Sequence, residues 1–107
     1  MRHRSKRRDS NHFELMAHAE SIGFSVLDTS QLSKGLDLLV AIRGKHGKGD
    51  TIRIEIKDGA KIPSKRKLLE SEQDVFDHWQ GRCEVWECVS DIDRLRSELL
   101  SYAPIYE

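Results

Sequence analysis

The 107-residue chain reads as a single mixed α/β domain. Three observations predict that class. The length holds one hydrophobic core and no second. The apolar spacing switches from helical to alternating and back along the chain. Turn residues separate the segments, while no repeat or internal linker interrupts them. The expected element order is α-β-β-β-α-β-α, with residues 9–107 as the domain and residues 1–8 as a flexible basic arm.

The arm, MRHRSKRR, has no apolar periodicity. From Ser10 as N-cap to about Ser21, Leu15, Ala19 and Ile22 recur at helical spacing, and Gly23 ends the helix. FSVLD then alternates as a strand, with Phe24 and Val26 on one face, and Thr29 to Gly35 is turn-like. Asp37 to Arg43 is a strand whose nearly continuous apolar run suits a sheet covered on both faces. The glycine-rich GKHGKGD turns the chain back into TIRIEIKDG, where Ile52, Ile54 and Ile56 share one face and Arg53, Glu55 and Lys57 the other. A basic loop, GAKIPSKRK, is too polar for the core. A helix from about Ser71 to Gln80 follows, burying Val75, Phe76 and Trp79, with Gly81 as its stop. CEVWECV is the fourth strand. Ser90 and Asp93 resemble a capping box for a last helix that buries Ile92, Leu95 and Leu99.

Eighteen basic residues balance eighteen acidic ones. That balance argues against a histone-like polycation and an acidic disordered tail. The charge is nevertheless segregated: +5 over residues 1–8, −4 over 9–33, +6 over 34–67 and −7 over 68–107. The two basic blocks suit a polyanion and the acidic C-terminal block a solvated face. Cys83 and Cys88, with four residues between them, have neither metal-ligand nor redox spacing and are expected as reduced thiols. The basic N-terminus leads into a polar stretch, unlike a signal peptide, and the longest apolar run is Leu38 to Ile42. A cytoplasmic protein without a membrane segment is expected.

Glu55 and Lys57 point to one side of a strand, and the hairpin makes the strand beginning at Asp37 its neighbour. Two carboxylates meeting across that pair repel by roughly 4 kcal/mol at about 4 Å and an effective dielectric near 20. A divalent cation supplies the counter-charge, and Mg²⁺ is content with few protein ligands plus waters and a phosphate. Lys57 beside them can hold or deprotonate a water.

Asp37 followed by Glu55-Ile56-Lys57 on the next strand, within this element order, resembles the PD-(D/E)xK nuclease superfamily, in particular its Holliday junction resolvase-like and VRR-NUC-like branches. The resemblance covers roughly residues 9–90 and departs at Leu36, where the name-giving proline would stand. It implies a restriction-endonuclease-like αβββαβ core with a mixed central sheet, here with an extra C-terminal helix. It also implies a Mg²⁺-dependent DNA endonuclease, with Mn²⁺ substituting, leaving 5′-phosphate and 3′-hydroxyl ends. Carried over residue by residue, Asp37, Glu55 and the Ile56 carbonyl bind the metal, and Glu14 on the first helix contacts it or its water. Lys57 positions the attacking water, and Gln73 matches a glutamine found in that helix in several branches. Resolvase-like relatives pair to cut two strands, so a homodimer acting on branched, flapped or junction DNA is expected.

Each of these residues also has a plain structural role. Exposed strands often alternate Glu and Lys, and an acid such as Glu14 suits the first turn of any helix. Ser10 and Asn11 are capping types, His12, His18, His46 and His78 show no ligand spacing, and Trp79 and Trp86 suit a core. Arg2, Arg4, Lys6, Arg7 and Arg8 in the arm, with Lys61, Lys65, Arg66 and Lys67 in the basic loop, are assigned to phosphate contacts that position DNA without reading its sequence. The rival readings are a catalytically inactive, nucleic-acid-binding accessory protein of the same fold and an unrelated α/β interaction module whose acids are ordinary surface charges.

Overall fold

In the computed structural model, which describes residues 8–32 and 36–101, the elements follow the expected order. Helix α1 (His12–Ser21) leads into strands β1 (Ser25–Asp28), β2 (Leu38–Ala41) and β3 (Ile52–Ile56). A single 3-10 turn at Pro63–Lys65, helix α2 (Glu70–His78), strand β4 (Arg82–Trp86) and helix α3 (Val89–Ser101) complete the chain. Arg2, Arg4, Lys6 and Arg7 lie outside the described residues.

The four strands form one mixed sheet in the order β1-β2-β3-β4, antiparallel across the first two pairs and parallel across the last. One face carries the core. Leu38 and Val40 of β2 and Ile52, Ile54 and Ile56 of β3 are buried there, with Leu15 and Ala19 of α1 and Ile92 and Leu95 of α3 packed over them. Trp86 is 1% exposed and meets Phe24 edge to face at 5.8 Å. The period-2 alternation of the isoleucines builds this surface, since successive strand residues point to opposite faces.

The boundaries differ from expectation where tertiary contacts outrank local pattern. α1 begins after Asn11 instead of Ser10, and Asn11 makes no cap; its Nδ2 donates to the carbonyls of Lys57 and Glu87 at 3.2 and 3.1 Å, tying the start of the helix to the ends of β3 and β4. Gly23, at φ +108°, ends it as expected. β2 is shorter than Asp37–Arg43 and only one of its faces is fully covered, since Leu39 and Ala41 are half-buried. α3 is capped by Asp91 and not by the Ser90 and Asp93 pair; the Asp91 Oδ2 accepts the N–H groups of Glu87 and Cys88. α2 stops at His78, and Trp79, expected in the core, is 51% exposed. Cys83 and Cys88 are free thiols. Among the described residues no helix is long and apolar enough to cross a membrane.

Candidate active site

The second face of the sheet carries the polar alternates of β3. Leu38 pairs with Ile54. Continuing that register by one residue sets Asp37 opposite Glu55 on this face. Asp37 precedes β2 by one residue, and the chain holds it there from both sides. Its carbonyl accepts the Thr29 N–H at 2.9 Å, and its carboxylate Oδ2 accepts the Ile56 N–H at 2.8 Å. The N–H and C=O of a strand residue point the same way in such a ladder, so the Ile56 carbonyl also lies on the Asp37 side.

Lys57 continues the line. Its Nζ is 3.6 Å from Glu55 Oε2 and 2.8 Å from Glu72 Oε1. The latter oxygen also accepts the Leu69 N–H at 2.8 Å, a bond back to the N-cap that orients the first turn of α2. Asp37, Glu55, Lys57 and Glu72 are all buried.

Three carboxylates and one ammonium cannot all be charged at ordinary cost in such a place. Burial, reinforced by the neighbouring Glu72 and Asp37 carboxylates, pushes the Glu55 carboxyl up to about 9. Burial also pushes Glu72 upward, but hydrogen bonds from Glu55, Lys57 and the Leu69 N–H outweigh it, so Glu72 sits below the usual range. Burial lowers Lys57, and its bond to Glu72 more than restores it, leaving it above its ordinary value. The cluster therefore keeps one proton on Glu55, with Lys57 and Glu72 as an ion pair. Glu55 Oε1 is buried with no hydrogen-bond partner.

A divalent cation fits these donors. Asp37 and Glu55 present oxygens side by side, and the unpartnered Oε1 is an acceptor awaiting a positive charge. Among the described residues no group of three or more His, Cys, Asp or Glu side chains could hold a metal. An ion placed there would meet two carboxylates, with the Ile56 carbonyl on the same side, a small protein share that Mg²⁺ accepts.

Two expected members stand apart. Glu14 is exposed on the first turn of α1 and lines a small cleft with Asp58, Arg66 and Glu87, none of which belongs to the cluster. Gln73 is exposed and its Nε2 donates to Asp77 Oδ1 at 2.8 Å; the residue of α2 that reaches the cluster is its neighbour Glu72. No sequence signal pointed to Glu72, since Leu69 at the N-cap has no side-chain acceptor and Leu-x-x-Glu is not a capping box.

The basic residues also divide. Lys61, Lys65 and Lys67 are exposed, Lys61 standing 3.7 Å from Asp9. Arg66 is bound to the Glu87 carboxylate at 3.2 Å. Arg8 reaches Asp28 at 3.3 Å and lies over the Phe13 ring, so it belongs to the folded domain and not to a free arm. Asp28 also meets His12, the buried first residue of α1, while Ser10 bonds Asp58. No protein-family model, no curated protein and no solved structure matches this chain.

Proposed function

We propose that this protein is a Mg²⁺-dependent DNA endonuclease with a restriction-endonuclease-like core, acting as a homodimer on branched or flapped DNA. The observation that carries the reading is the convergence of Asp37, Glu55 and Lys57 on one sheet face, with Glu55 Oε1 buried and unpartnered. The order α1-β1-β2-β3-α2-β4 and the mixed sheet support the same reading.

Asp37 and Glu55 would hold the cation. When bound, it supplies Lewis acidity at the scissile phosphate and a more acidic water. The Ile56 N–H fixes one oxygen of Asp37, so that the carboxylate is already oriented before substrate arrives. Lys57 holds its ammonium over the same face and orients a water's lone pair toward phosphorus. Glu72 keeps that ammonium charged and in place. Lys61, Lys65 and Lys67, in the segment between β3 and α2, are exposed cations that would meet flanking phosphates.

Incubation with flapped, branched and blunt duplex DNA in Mg²⁺ or Mn²⁺ tests this directly. Cleavage is expected from the wild type, none from Asp37→Asn or Glu55→Gln, and a loss of about 10²- to 10⁴-fold from Lys57→Ala. Activity that survives in all three variants removes the assignment. One observation favours the accessory-protein reading: the Lys57 ammonium is engaged by Glu72 at 2.8 Å, an inward-facing pair. Binding of every DNA with no cleavage by the wild type would select it.

A further inference from the structure

Trp79 is an indole that helical spacing would bury, yet it is 51% exposed at the C-cap of α2. It is not loosely held. The Arg53 guanidinium lies over its ring, 4.3 Å from the centroid. At its edge the backbone of Gly81 passes so close that a Cβ there would meet the indole Nε1 at 2.8 Å. A side chain there would have to displace the ring. The ring is thus fixed by a cation on one face and by the main chain at its edge, while half of its surface stays in water.

That surface forms one wall of a cleft of about 840 Å³. The glycine-rich hairpin between β2 and β3 forms another, bringing Lys45, His46 and Lys48, with Asp50 as the one acid among the lining residues. Ile42, Ile52, Leu99 and Leu100 also line it, so an aromatic and apolar surface is joined to two lysines, which suits a ligand that joins a planar ring to a phosphate. The cleft opens at the Ile52 end of β3, and none of the residues of the carboxylate cluster lines it. Arg53, under Trp79, shares its face of β3 with Glu55 and is one pleat repeat away, roughly 7 Å.

We infer that this cleft takes an unpaired nucleotide of a DNA substrate, with its base stacked on Trp79 and its phosphate held by Lys45 and Lys48. The inference rests on the proposed nuclease reading for its choice of DNA, and it names the substrate feature that reading needs. A base within a duplex has both faces occupied by its neighbours and cannot stack on an indole. A flap or branch point offers one that can.

The experiment uses the full chain without divalent cations, titrated with a short oligo(dT) and with a blunt duplex. Of the two tryptophans Trp86 is 1% exposed, so a change in emission reports Trp79. Saturable quenching by oligo(dT) and none by the duplex is expected. Trp79→Ala should weaken oligo(dT) binding by about 10- to 100-fold, and Trp79→Phe by less, because stacking tolerates any aromatic ring. Duplex affinity should not change in either variant. Absence of quenching by oligo(dT), equal quenching by the duplex, or undiminished oligo(dT) affinity in a folded Trp79→Ala protein overturns the inference. With no cation present, cleavage is not being measured. Stacking in a protein that never cuts DNA in Mg²⁺ would remove only the nuclease reading, and cutting without stacking would remove only this inference.

Discussion

Glu55 is 3% exposed and faces the carboxylates of Asp37 and Glu72. Its carboxyl, pushed up to about 9 by burial and then by those two neighbours, holds a proton in the native state that the unfolded chain releases near 4.5. Between those values the native state binds more protons, so stability is full at the acid end and is lost as pH rises toward 9. The slope for one proton is about 1.4 kcal/mol per pH unit. Glu72 works the other way, stabilising above its ordinary range and losing that contribution as pH falls below it. Thermal melts in chelator from pH 6 to 9 should therefore show a falling midpoint that Glu55→Gln flattens. On the proposed reading Mg²⁺ would compete with that proton for the same oxygens, so its stabilising effect should grow as pH rises. A Mg²⁺ shift that is the same at pH 6 and pH 9 would count against Glu55 as a ligand.

The elements that frame the site are tied together by few bonds. Asn11 is the clearest, since its amide, at the start of α1, closes on carbonyls just beyond the ends of β3 and β4. Asn11→Ala strips two buried-side carbonyls of their donor and should cost about 1–3 kcal/mol in urea unfolding; an unchanged midpoint would show that water replaces the amide freely. The strands were the legible part of the site. Asp37, Glu55 and Lys57 share a face because alternation and a hairpin leave few other registers, and both are written locally. α2 was not legible in the same way. Its apolar residues Val75, Phe76 and Trp79 suggested the face to bury, but the helix ends before Trp79 and turns Glu72 inward to meet Lys57. An ion pair between residues 57 and 72 leaves no periodic trace.

For the whole molecule the zero net charge conceals an uneven field. Residues 1–7 carry four cations, and Arg8 is already committed to Asp28. Removal of residues 1–7 should leave the fold intact, weaken DNA binding and reduce the slope of log affinity against log salt by about one for each cation that meets a phosphate. An identical slope in the truncated protein would show that the arm stays off the DNA. The amino-acid sequence alone determined the element order, the core face of β3 and the meeting of Asp37 with Glu55, because strand and helix periods are local and each element declares its own apolar side. The tertiary structure alone decided that Glu72 joins the site, that Gln73 and Glu14 stand outside it, that Arg8 and Arg66 are neutralised and that Trp79 faces water. Those outcomes depend on which side chains packing brings within bonding distance: Glu72 of Lys57, Arg8 of Asp28 and Arg66 of Glu87. Such a choice is made by burial and pairing between segments far apart in the chain.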